Sequence, residues 1–316
     1  MTHFVVADTV TMFQRCARHT LRSRDTLIIS LLMPILVMLL FTYVFGGAID
    51  VGGPYLDYVV PGIMLLCTGF GSSITATAVS TDMTKGSIDR FRTLPMFRQA
   101  VLAGHVAEGV ARNLAAIGVA VGASVALGYR PRAGILGWLG ALGMIGLFVL
   151  AISWIAVALG LLAKNPEAAG GMTYAIMFIP YISSAFVQTD SMPGWLRGFA
   201  DYQPATPVVE TVRGLLNVTD SGHNPPLALA WCLVLAVLGF AIASLKFARL
   251  SHTPEPVRSA AVQALLVACR HPPASWYRGR HRSPGLPLRP GTSSPSAHPT
   301  ARPRRRRSRG YRGRRT

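Results

Sequence analysis

Apolar residues run along the chain in blocks long enough to cross a bilayer, divided by shorter polar stretches. A hydrocarbon core about 30 Å thick needs about 20 apolar residues in a helix. The block from Leu27 to Ala48 qualifies without a single charge. Further blocks run from Tyr58 to Ser80, Val101 to Leu127, Ala133 to Ala163, Gly171 to Val187 and Leu227 to Phe247. The pattern predicts six membrane-spanning helices, the fifth interrupted by Pro180. Each is long enough to satisfy its backbone internally, as lipid demands. Gly69, Gly71, Ser72, Ser73, Gly118, Gly122 and Ala123 supply small side chains that let such helices approach closely.

The polar stretches carry patterns of their own. Over residues 3–22, Val6, Val10, Phe13, Ala17 and Leu21 recur at helical spacing, while Gln14, Arg15, Arg18 and Arg22 lie off that stripe. This reads as an amphipathic helix lying on the membrane surface, with an ordinary solvated helix as the alternative. Between the second and third blocks, Ile88, Phe91 and Leu94 form a small ridge at spacing three. Asp82 or Thr84 can cap a short helix there, and Pro95 ends it. Spacing alone fits both a docking helix and a solvated connection. Before the sixth block, the proline-broken apolar segment around Trp195 and Tyr202 predicts one or two short helices re-entering the outer face.

Basic residues set the orientation. Arg15, Arg18, Arg22, Arg24, Lys85, Arg90, Arg92, Arg98 and Lys164 fall on one side, against Arg130, Arg132, Arg197 and Arg213 on the other. The excess predicts both termini in the cytoplasm. No secretory signal is expected, because the first apolar block is too long and is flanked by Arg22, Arg24 and Asp25.

Composition sharpens the division. The chain is 51% hydrophobic and 14% charged, against about 25% charged in soluble domains. Its 316 residues include 31 basic and 13 acidic ones, yet residues 251–316 alone hold 15 basic residues and a single acid, Glu255. The expected organisation is an N-terminal interfacial helix over 1–26, a six-span domain over 27–250 and a disordered Arg/Pro-rich tail over 251–316. A single soluble globule is excluded, and nucleic acid is not an expected partner of the main body. Cys16, Cys67, Cys232 and Cys269 lie far apart without a C-x-x-C pair, which fits reduced thiols in place of a disulfide frame or metal site. Arginine far outnumbers the three lysines, as in a GC-rich bacterial genome.

Catalytic patterns are missing. The chain has no phosphate-cradling G-x-x-x-x-G-K-[ST], no H-E-x-x-H and no G-x-S-x-G, so neither a cofactor nor an enzymatic reaction is expected of it. Ionisable residues inside a span are suspect by default. Glu108 and Arg112 stand at i and i+4, one turn from His105, as a structural ion pair or a substrate contact.

Several runs carry a resemblance: FGGAI (Phe45 to Ile49) after Pro34, Tyr55 with VPGI (Val60 to Ile63), and Asp82 and Gly86 before IDRFRTLP (Ile88 to Pro95). SSAF (Ser183 to Phe186), MPGWLR (Met192 to Arg197) and PATPVVETVRGL (Pro204 to Leu215) complete it. Over roughly residues 10–250 the chain resembles the permease subunits of type 2 ABC exporters, most closely the daunorubicin-resistance group. The resemblance implies an all-α integral membrane protein in the plasma membrane. Two permease copies, or one and a paralogue, would surround the export path and pair with two copies of a separate ATPase that holds ATP-Mg. It implies that the loop with Asp82, Gly86, Ile88, Asp89, Arg90, Phe91, Arg92, Leu94 and Pro95 is a coupling helix docking on that ATPase. The implied substrate is a hydrophobic drug or antibiotic. Export of a lipid or glycan is the alternative, as is a non-transporting membrane scaffold with a basic tail that binds nucleic acid or lipid. The tail departs from the family, whose members usually stop near Arg249. An out-of-frame extension, a lipid-bound tail and a nucleic-acid-binding arm all fit it.

Overall fold

A computed structural model describes residues 2–49, 51–85, 98–219 and 224–251. The described elements belong to one compact unit, Met1–Pro254; a second unit, Glu255–Thr316, lies wholly outside the described residues, and so does the predicted basic tail.

Among the described residues every regular element is helical. The chain opens with α1 (Thr2–Arg22) and α2 (Arg24–Leu40), which ends in a π-helical turn, Phe41–Phe45. Then come α3 (Tyr55–Thr84), α4 (Arg98–Ala126) and α5 (Ile135–Leu162). Short pieces follow: α6 (Pro166–Met172), α7 (Tyr174–Phe178) and a 3-10 turn, Ile179–Ile182. The chain closes with α8 (Gly194–Tyr202), α9 (Ala205–Asn217) and α10 (Asn224–Ser251).

Five helices are long and apolar enough to cross a membrane: α2 with its π-turn, α3, α4, α5 and α10. They coincide with five of the six predicted blocks. The block expected over Gly171–Val187 is not a continuous helix and needs correction. Pro180 has no N–H to donate and clashes with a preceding turn. Thr173 Oγ1 bonds back to the Gly170 carbonyl at 2.6 Å and Ser183 Oγ to the Pro180 carbonyl at 2.6 Å, both competing with the helical ladder. The result is a chain of short turns, none long enough to span alone. Where one or two short helices were expected before the last span, two are present, α8 and α9.

Helix α3 is the centre of the bundle. Val59 and Leu66 on it are fully buried, and α4, α5, α6 and α9 all pack around it. It runs three residues earlier and four later than the sequence block, so Asp82 and Thr84 lie inside α3 and do not cap a separate loop helix. On the far side α10 packs along α5, with Trp154 edge-on to Phe240 at 5.0 Å. On α1 the side packed on the bundle is distinct from the expected apolar stripe. Met12 and Cys16 are its buried residues, whereas Val6, Val10 and Leu21 of the expected stripe are exposed.

Glycine permits several close approaches, two of them at the crossings that matter most for α3 and α4. A Cβ on Gly104 would stand 2.6 Å from Met12 Cβ, where α1 crosses α4. A Cβ on Gly62 would stand 2.7 Å from both the Cβ and the carbonyl oxygen of Ala185, so α3 and the 183–187 segment meet backbone to backbone.

Gly62→Val is therefore expected to destabilise the purified protein by about 1–3 kcal/mol through overpacking. Gly118→Ala, whose Cβ meets nothing within 4 Å, should leave the detergent melting temperature unchanged or slightly higher. Equal melting of the two variants would contradict the contact.

Candidate functional site

Polar side chains collect at both ends of α3. At one end Asp82 sits on the last turn of the helix, just before the loop over residues 86–97. Arg15 of α1 grips it with both terminal nitrogens, Nη1 to Oδ2 at 2.8 Å and Nη2 to Oδ1 at 3.1 Å. His105 of α4 places Nε2 3.2 Å from Oδ2, and its Nδ1 lies 3.7 Å from Cys16 Sγ back on α1. One carboxylate thus ties three helices together. Such bidentate, charge-assisted bonds are directional as well as strong. The same carboxylate raises the Arg15 pKa above its ordinary value, chiefly through the hydrogen bond.

A second set lies one turn along α4. Glu108 Oε1 accepts from Thr20 Oγ1 of α1 at 2.8 Å and from Arg112 Nε at 3.1 Å. Arg112 reaches across to α3, donating Nη1 to the Gly71 carbonyl at 3.2 Å and Nη2 to Thr75 Oγ1 at 2.7 Å. Glu108 and Arg112 are 6% and 8% exposed, so the ion pair is buried, and both terminal nitrogens of the guanidinium bond α3. That arrangement is what a charge pair in a low-dielectric interior requires.

At the other end of α3 a different arginine dominates. Arg213 of α9 stacks 3.7 Å above the Tyr58 ring and donates Nη2 to the carbonyls of Tyr58 at 3.0 Å and Ser184 at 2.9 Å. Its Nη1 pairs with Glu210. Around it Tyr55 donates its hydroxyl to the Phe186 carbonyl at 3.0 Å, and Asn217 Nδ2 bonds the Asp57 carbonyl at 3.0 Å. Gln203 Nε2 bonds the Ile182 carbonyl at 2.7 Å. Phe186 is stacked between Phe41 at 4.3 Å and Tyr181 at 5.2 Å.

Of the sequence-predicted site residues, Asp82, Glu108 and Arg112 fall in the two sets that join α1, α3 and α4. Gly86, Ile88, Asp89, Arg90, Phe91, Arg92, Leu94 and Pro95 lie outside the described residues. Sequence reasoning missed the partnership of Arg15 with Asp82 and the role of Arg213. Both arginines stood in plain view as orientation charges, and Arg213 lay within a quoted motif, yet pairing across 67 and 155 residues leaves no local pattern. Among the described residues no group of His, Cys, Asp and Glu could hold a metal ion.

Residues 7–217, from α1 through α9, match the family model described as ABC-2 type transporter. The daunorubicin resistance ABC transporter permease protein DrrB1 of Streptomyces coeruleorubidus is 36% identical over 200 residues, covering 63% of this chain and 71% of the relative. The probable doxorubicin resistance ABC transporter permease protein DrrC of Mycobacterium tuberculosis is 26% identical over 213 residues, covering 66% and 76%.

Removing Glu108 strands a buried guanidinium, so Glu108→Ala should lower unfolding stability by about 3–5 kcal/mol. Asp190→Ala, which breaks the solvent-exposed pair with Arg197, should cost less than about 1 kcal/mol. Chemical denaturation of the two variants in detergent separates the cases, and similar losses would refute the buried-pair assignment.

Proposed function

The chain belongs to the ABC-2 type transporter family, and from that premise we propose that it moves a hydrophobic, drug-like substrate out of the cell as the permease of an ATP-driven exporter. The observation that carries this reading is the family match, which runs from α1 through α9 and takes in both polar networks. The resistance named for the relatives supports a hydrophobic antibiotic as cargo. The five long apolar helices provide walls that such a molecule can wet. Energy comes from a partner, a separate ATPase holding ATP-Mg.

In this proposal the loop over residues 86–97 is the contact with that ATPase. Asp89, Arg90, Phe91, Arg92, Leu94 and Pro95 dock on it, and in the sequence the segment begins four residues after Asp82. Because Asp82 is held by Arg15 and His105, motion imposed on the loop passes to α1, α3 and α4 together. The exposed stripe Val6, Val10 and Leu21 on α1 suits a helix lying in the lipid interface with both termini cytoplasmic. Two permeases, either two copies of this chain or one with a paralogue, enclose the path. Residues 252–316 take no part in transport.

Cells expressing the chain with a cognate ATPase should survive hydrophobic antibiotics that kill control cells, and a resistance panel identifies the cargo. Arg90→Glu or Arg92→Glu should abolish that resistance and reduce co-purification of the ATPase at least about tenfold, while deletion of residues 252–316 should leave both intact. Undiminished co-purification in both arginine variants would remove the coupling assignment.

A further inference from the structure

Arg130 and Arg132 stand where the orientation rule disfavours them, on the connection between α4 and α5 at the end of the bundle opposite Asp82. Both are exposed, and neither side chain donates a hydrogen bond among the described residues, although Arg132 lies near enough to Asp57 to act on it electrostatically. They border an open cleft of about 600 Å³ formed where the π-turn after α2, the start of α3 and the end of α4 come together. Tyr43 and Leu56 give that cleft apolar walls, and Asp57 supplies a carboxylate on the same lining. The Thr42 hydroxyl on the wall is buried without a hydrogen-bond partner. Leading away from the cleft, Leu36, Leu40 and Val44 form an exposed apolar stripe at spacing four down α2.

We propose that this cleft binds one membrane glycerophospholipid by its headgroup. Two guanidinium groups on neighbouring positions present the forked donors that suit a phosphate, and the N-terminus of α3 adds a favourable field for an anion. Asp57 then selects among headgroups, because it accepts from the ammonium of ethanolamine or the hydroxyls of glycerol, whereas choline's methylated nitrogen offers no N–H. One acyl chain lies along Leu36, Leu40 and Val44. A soluble phosphate shares the first of these contacts and lacks the last. The exporter reading enters only in assigning the cleft to the outer leaflet; the binding itself does not depend on it.

Native mass spectrometry of the purified full chain, titrated with phosphatidylglycerol, phosphatidylethanolamine, phosphatidylcholine or inorganic phosphate, tests the site. The first two lipids should bind about tenfold tighter than phosphatidylcholine. The Arg130→Gln/Arg132→Gln double variant, changed only at exposed positions, should keep its melting temperature and lose most of the affinity for all three lipids. Asp57→Asn should erase the preference for ethanolamine over choline while leaving phosphate contact in place. Equal lipid binding by wild type and the double variant would overturn the site. Displacement of the lipid by millimolar inorganic phosphate would assign the cleft to a free anion and overturn the lipid. An unchanged headgroup preference in Asp57→Asn would overturn selection by that carboxylate.

Discussion

Hydrocarbon offers no hydrogen bonds, so any backbone that leaves the helical ladder in this protein has to be satisfied by the protein itself. The stretch from Ile179 to Phe186 is where that constraint bears hardest. Pro180 breaks the helix, and the carbonyls of Pro180, Ile182, Ser184 and Phe186 are taken up by Ser183, Gln203, Arg213 and Tyr55 in turn. Those donors come from α3, α8–α9 and the segment itself, which explains why α9 is buried although it is too short to span: it exists to deliver Arg213 and Val212 to the break. Gly62 then lets α3 meet the broken segment without a side chain between them. The irregular segment is thus fixed by three elements and is no loose loop.

The same helix, α3, carries a second polar layer at its opposite end, about 36 Å away by helical rise. There the problem is reversed. The backbone is regular, and charged side chains have to be accommodated near lipid. The solution is mutual satisfaction: Asp82 faces an arginine and a histidine, and Glu108 faces a cation and a hydroxyl. Removing any one member leaves a desolvated partner, so these contacts act against sliding of α1 over α3 and α4 more than as sources of net stability. Gly104 seals the arrangement by letting Met12 sit against the backbone of α4.

How much of this was legible follows from the range of each signal. Five long helices were readable because an uninterrupted apolar block is a local property, and their observed ends fall within a few residues of the blocks. The fifth block, over Gly171–Val187, misled because its apolar content was right while Pro180, Thr173 and Ser183 defeat continuous helix formation, an effect that hydropathy does not weigh. On α1 the periodicity marks an apolar face without saying whether protein or lipid covers it: Met12 and Cys16 meet the protein, while Val6, Val10 and Leu21 stay exposed. Pairings such as Arg15 with Asp82 depend on the tertiary fold and have no sequence spacing to announce them.

The distribution of burial adds a last step. In α3 most of the apolar span is covered by the chain's own helices, 83% of it, whereas only 17% of the α2 window and 22% of the α10 window are. A helix that was merely a lipid anchor would not be interrupted, yet α2 carries Pro34 and ends in a π-turn, both of which weaken the i to i−4 ladder. Phe41, on that π-turn, stacks on Phe186, which Tyr55 and Arg213 hold in place through its own and a neighbouring carbonyl. The most exposed span is therefore attached to the most firmly fixed segment through an aromatic face, a contact that tolerates rotation better than the bidentate ion pair at the other end. The two ends of the bundle are thus joined differently, by directional ion pairs at Asp82 and by ring stacking at Phe186.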